Sequence, residues 1–208
     1  MSNTLQNKGF TLLELLVAMA LLVILTGALY GTYFSVMNGR EAAVSGMEAR
    51  RELRTTLDML RREIASAYFN KFNMAKKKQF FVVEDRDFFG KPASTISFTA
   101  IAPPSSDSQS GSDLVELKYQ PIEKDNKIVL TRQAKDFYLD VKTYPYPQME
   151  KLEGFLVECY DKGKWVRSWD TALNNNRLPE SVRITLRVKE GDKIAEYTAT
   201  ASPRIKGP

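Results

Sequence analysis

At 208 residues, with 43% hydrophobic and 26% charged side chains, the chain has room for one membrane anchor and one ordinary globular domain, and it is neither disordered nor polytopic. Its 30 basic and 25 acidic residues leave a net charge of +5 spread along the chain, which does not give the gathered basic face of a nucleic-acid binder. There is no histidine, which removes the commonest general base and metal ligand, and a single cysteine, Cys159, so no disulfide can form within the chain.

Residues 1–9 are short and polar, with one positive side chain, Lys8. From position 15 to position 39, 25 residues carry no charge. As a helix rising ~1.5 Å per residue they extend about 38 Å, more than the ~30 Å of a hydrocarbon core. Lys8 and the amino terminus favour a cytoplasmic leader, with the remainder outside the cytoplasm. Glu14 breaks the apolar pattern. A carboxylate in hydrocarbon costs on the order of 2.5 to 3.5 kcal/mol, and no cation lies beside it in this part of the sequence. The residue points to a partner supplied by another chain.

A secretory signal peptide explains Ala18-Met19-Ala20 as a cleavage site, but the apolar run continues well past it and contains Glu14. A plain single-span anchor explains the length and leaves Glu14 as an accident. A third reading rests on the contiguous stretch Lys8-Gly9-Phe10-Thr11-Leu12-Leu13-Glu14-Leu15-Leu16-Val17-Ala18. It resembles the N-terminal signature of type IV pilins and of the pseudopilins of type II secretion. The resemblance implies cleavage after Gly9 by a prepilin peptidase, N-methylation of the new terminal Phe10, and pairing of Glu14 with the terminal amine of a neighbouring subunit. Buried alone, each charge is expensive; together they are tolerable and set register between subunits.

The helical pattern continues past Arg40. There is no proline before Pro92, and Val44, Met47, Leu53, Leu57, Leu60, Ile64 and Ala67 recur at threes and fours apart from one wider gap. Arg50, Arg51, Arg54, Asp58, Arg61, Arg62 and Glu63 fill the other positions. The pattern predicts one helix from about 10 to about 69, with Leu57, Leu60 and Ile64 packed into the following domain. Gly27 and Gly31 have the GxxxG spacing that permits close helix approach. The lysines at 76–78 read as a solvated connection.

The remainder is β-rich, with predicted strands at 80–84, 95–101, 114–119, 127–132, 154–161, 164–169, 181–189 and 193–200. Asp161-Lys162-Gly163-Lys164 and Glu190-Gly191-Asp192-Lys193 have hairpin-turn composition. Val182, Ile184, Leu186 and Val188 alternate with Arg183, Thr185, Arg187 and Lys189, the pattern of an antiparallel strand with one wet face. Residues 102–112 and 170–179 read as loops. The expected class is α+β: a long N-terminal transmembrane helix continuing into an antiparallel β-sheet domain. The expected segments are a leader at 1–9, a transmembrane and assembly helix at 10–39, an extracytoplasmic amphipathic helix at 40–78 and a periplasmic β domain at 79–208.

Catalytic motifs are not apparent: there is no G-x-S-x-G, P-loop, H-E-x-x-H or C-x-x-C, and no enzyme activity, metal or cofactor is expected. Cys159 alternates with Phe155 and Val157, as a buried, inert thiol would. Glu84-Asp85-Arg86-Asp87, Asp136 and Asp140 could offer hard oxygens to calcium but read as solvated turn charges. Tyr138, Tyr144, Tyr146, Trp165 and Trp169 could form a patch on a cargo-binding module, with core packing the competing account for at least half of them.

Within the β-rich half, Leu130-Thr131-Arg132, Gly154-Phe155, Tyr160, Trp165 and the stretch from Leu178-Pro179 through Val182-Arg183 to Leu186 run in the order of J-type minor pseudopilins of type II secretion. Similar patterns occur in minor type IV pilins. The J-type resemblance implies a tip complex with I-type and K-type minor pseudopilins and the major pseudopilin, on a pseudopilus that exports folded proteins. It places the chain in the bacterial inner membrane, in contact with its lipid, with the β domain in the periplasm.

Overall fold

The computed structural model describes residues 10–70, 79–101, 112–124, 127–139, 141–191, 193–203 and 205–206. The expected leader with Gly9, the lysines at 76–78, nearly all of the loop at 102–112, Asp140 and Asp192 lie outside the described residues. The chain divides into two compact units, Met1–Arg50 and Arg51–Pro208.

The first unit holds most of one long helix, α1, Leu12–Ala65. Leucine, alanine and methionine supply strong propensity, and with no proline to interrupt it the ladder of backbone bonds runs unbroken. Within this unit the large apolar side chains are exposed all round the helix, Leu21 at 61% and Leu22 at 62% among them. A helix that is apolar on every face belongs in a membrane or in the interior of a larger assembly. Its length and composition suffice to cross a membrane. Val44 and Met47, placed on the buried stripe by their spacing, are exposed as well.

In the second unit the stripe does become core. Leu53, Leu60 and Ile64 are buried and Leu57 is half-buried against the sheet. Each fully buried leucine or isoleucine stabilises the fold by about 1.5–3 kcal/mol relative to exposure. The helix stops at Ala65, four residues short of the expected end. Ser66 and Ala67 close it with bonds to Arg62, Glu63 and Ile64. The aromatic pair that follows, β1 (Tyr68–Phe69), pairs in parallel with β13 (Ile205–Lys206), and Ala67 bridges Ala100. Pairing with the sheet overrides the helical periodicity there.

Among the described residues, one antiparallel sheet has nine strands. Its members are β2 (Phe81–Glu84), β5 (Thr95–Ile101), β6 (Leu114–Lys124), β7 (Lys127–Asp136), β8 (Tyr146–Asp161), β9 (Lys164–Val166), β10 (Trp169–Asp170), β11 (Ser181–Glu190) and β12 (Lys193–Ala201). Their order is β10-β2-β5-β6-β7-β8-β11-β12, with β9 paired to β8. The predicted strand at 95–101 matches β5, while the 164–169 strand is two short strands and β8 begins eight residues earlier than predicted. The remaining hairpin, β3 (Asp87–Phe88) with β4 (Lys91–Pro92), was not foreseen.

The alternation that predicted the strands also positions the core. Phe81 and Val83, Ile96 and Phe98, Leu117 and Tyr119, and Val182, Ile184 and Leu186 are buried on one face with the helix stripe. Thr185, expected on the wet face, is also buried; its hydroxyl meets that of Thr198 across the β11–β12 pair. The turn at Lys162-Gly163 has positive φ at both residues, 47° and 83°, the mirror-image turn that suits strand twist. Gly154 answers a close approach: a Cβ there would lie 2.9 Å from the Pro92 ring. Lys151, in the bulged part of β8, has φ 59°.

Candidate functional site

In the first unit the residues that start the helix form a closed exchange. Thr11 lends its hydroxyl to the Glu14 backbone N–H at 3.3 Å. In return Glu14 Oε2 accepts the Thr11 backbone N–H at 3.0 Å and its hydroxyl at 3.1 Å. This is a capping box, which satisfies amide groups that a helix start otherwise leaves open. The Thr-x-x-Glu pattern ahead of an apolar run carries the signal, and the reading of Glu14 as a stranded charge missed it. The carboxylate itself remains exposed, as does Phe10 at 89%. Deeper in the span the hydroxyls of Thr26 and Thr32 donate to Leu22 and Ala28 carbonyls of the same helix. Their polarity is thus satisfied within the helix. Glu14 carries a net charge that capping bonds do not cancel.

Gly27 and Gly31 sit on this helix with, apart from the adjoining helix backbone, no heavy atom of the described residues within 4 Å of where a Cβ would stand. The structure brings Leu57, Leu60 and Ile64 together in the second unit's core. Among the described residues it brings neither Glu14 nor the glycine pair to a partner from beyond their own helix turns.

The second unit holds a polar anchor that the sequence reading missed. The sequence pattern places Glu63 outside the apolar stripe of the helix. It receives hydrogen bonds from the Arg132 guanidinium, with Nε at 3.1 Å, and from the Tyr119 hydroxyl. Glu63 and Arg132 side chains are only 19% and 16% exposed, and Tyr119 is buried. The remaining guanidinium nitrogen of Arg132, Nη1, donates to the Tyr146 hydroxyl at 3.1 Å. Burial, then the Glu63 carboxylate, push the Tyr119 hydroxyl well above the ordinary tyrosine range. These groups fix the rotation of the helix on the sheet. One acid among several in an arginine-rich helical stretch gives no sign of this, because its partners lie 56 and 69 residues away.

Cys159 is buried, and burial pushes its thiol above the usual range, consistent with an inert side chain. The acidic candidates have local duties. Glu84 pairs with Arg86, Asp87 accepts the Gly90 N–H, and Asp136 accepts the N–H groups of Ser112, Tyr138 and Leu139. Among the candidate aromatics, Trp169 is core and Trp165 is half-buried, with the Arg183 guanidinium 4.2 Å from its ring centre. Tyr138, Tyr144 and Tyr146 are exposed.

Comparison with known proteins sets these features in a family. Residues 5–30 match the prokaryotic N-terminal methylation motif, which covers Gly9, Phe10 and Glu14. Residues 31–200 match the family of type II secretion system protein J. No curated protein sequence matches the chain. The fold is similar to that of a chain in the GspK-GspI-GspJ complex of the enterotoxigenic Escherichia coli type 2 secretion system. That match has 15% identity and a TM-score of 0.53, covering 77% of this chain and 99% of that one. It is also similar to a type IV-like pilin from Thermus thermophilus, with 12% identity and a TM-score of 0.50, covering 74% and 96%. The match to the J family spans well over half of the chain, and this protein belongs to that family as a minor pseudopilin of type II secretion.

Proposed function

We propose that this minor pseudopilin co-assembles through its N-terminal helix with I-type and K-type minor pseudopilins. The resulting tip complex joins the major pseudopilin in a pseudopilus that exports folded proteins. The observation that carries this reading is the uncharged stretch of the helix in the first unit, whose large apolar side chains are exposed on every face, with one carboxylate at its start. Such a surface is stable only in lipid or against other apolar helices. The prepilin peptidase removes residues 1–9 after Gly9, and Phe10 becomes the methylated terminus. Both Thr11 bonds fall on Glu14 Oε2, and Oε1 faces the terminal amine of the next subunit. Gly27 and Gly31 are the positions of close helix approach within the assembly. Before assembly the helix anchors the protein in the inner membrane, and the β domain lies in the periplasm.

The membership of a GspI–GspJ–GspK complex by the similar fold supports the choice of partners. Mass spectrometry of the mature protein tests the processing step. A chain that begins at N-methylated Phe10 is the expected product. A chain that begins at Met1, or after Ala20, contradicts the proposal.

A further inference from the structure

The second unit carries a groove of about 570 Å³ at the edge of its core. Its floor is apolar, made by Ile128 and Leu152, which are recessed at 7% and 2% exposure. Lys91, Lys127, Lys151 and Lys189 line it, against Glu123 and Glu153. Lys91 and Glu153 neutralise each other in an ion pair. That leaves three lysines facing one glutamate among the described lining residues.

Two further features mark the groove. Phe89 is 91% exposed, at the tip of the β3–β4 hairpin. Its φ is +53°, a left-handed conformation that suits glycine or asparagine and strains an aromatic residue. Neither the turn nor burial explains a phenylalanine at that position. Lys151 is the second left-handed residue on the lining, held at φ +59° by the bulge in β8. Strain of this kind persists where a binding surface needs a side chain aimed in a particular direction.

We propose that this groove docks an acidic segment of another protein, one that places an apolar side chain on Ile128 and Leu152 under Phe89 and its carboxylates among Lys127, Lys151 and Lys189. Charge complementarity identifies the partner's sign, and the recessed floor identifies a protruding side chain. A lipid surface fits less well. A flat headgroup layer does not reach a floor recessed between the lysines. The inference goes beyond assembly through the N-terminal helix and stands whether or not that assembly is correct.

The test uses the full chain in detergent and a fluorescein-labelled hexapeptide, Asp-Glu-Phe-Asp-Glu-Leu, read by fluorescence anisotropy. Saturable binding that weakens with salt is expected, because exposed charge pairs are screened. The double variant Lys127→Glu/Lys189→Glu should bind about tenfold more weakly or worse. Phe89→Ser should also weaken binding, and both variants should melt as the parent does. A control peptide with Asn and Gln in place of the acids should bind weakly. Absence of saturable binding, equal binding of the control peptide, or unaltered binding by the lysine variant overturns the proposal. So does displacement of the peptide by dihexanoylphosphatidylglycerol at lower concentration than by unlabelled peptide, which would assign the lysines to a lipid headgroup.

Discussion

Leu22 and Leu60 belong to the same helix and have the same side chain, yet one is 62% exposed and the other is fully buried. Among the described residues, the large apolar side chains of the helix before Arg50 are exposed, while after Arg51 its stripe packs against a sheet. The second stretch is stabilised by packing, while the first depends on propensity, its Thr11–Glu14 cap and whatever surrounds it. That difference separates the two tasks of the helix: one part holds the domain together, and the other is left for membrane and neighbours.

Substitutions can break this contrast. Leu60→Ala should destabilise the β domain by about 2–5 kcal/mol, the range for a leucine removed from a close-packed core. Leu22→Ala should leave the urea midpoint of that domain unchanged. Equal effects of the two would contradict the division. Glu63→Ala comes next, with an expected loss of about 1–3 kcal/mol, because it strands the Tyr119 hydroxyl and part of the Arg132 guanidinium. Tyr119→Phe in that background should recover some of the loss in the same melts.

The same network has a pH signature. Tyr119 holds its proton more tightly in the folded state than the ordinary value near 10. Its contribution is therefore complete below about pH 10 and is lost as pH rises from there toward the folded-state value. Melting temperature should fall more steeply above pH 10 for the parent than for Tyr119→Phe. The smallest effect on the domain belongs to Gly27→Ala and Gly31→Ala. Each should favour the helix by up to about 1 kcal/mol, as alanine does over glycine in a helix interior. If neighbouring helices approach at these positions, each should instead weaken co-purification with the other minor pseudopilins.

Much of the fold was legible because two periodicities survive in the sequence. Val182, Ile184 and Leu186 announce a strand, and Leu53, Leu60 and Ile64 announce a helix face. The helix end was misplaced because Tyr68 and Phe69 obey a strand partner at 205–206 that local pattern does not contain. The β3–β4 hairpin was hidden because Phe89 occupies a turn position where asparagine or glycine would have advertised it. Of the residues proposed to act in assembly, Glu14 was visible as a misplaced charge, yet its cap with Thr11 went unnoticed. Glu63 was invisible because a partly buried acid and a solvated one look alike until Arg132 and Tyr119 are seen around it.

The capping box provides a clean way to separate the charge of Glu14 from its hydrogen bonding. Glutamine at this position preserves the cap but carries no charge. Full-length chains with Glu14→Gln and Glu14→Ala can be co-expressed with I-type and K-type subunits, and the recovered complex quantified by co-purification. The account predicts that both variants fail to co-assemble while the β domain melts at the parent temperature. Normal co-assembly of Glu14→Gln would show that the carboxylate serves only its own helix, and would contradict pairing between subunits.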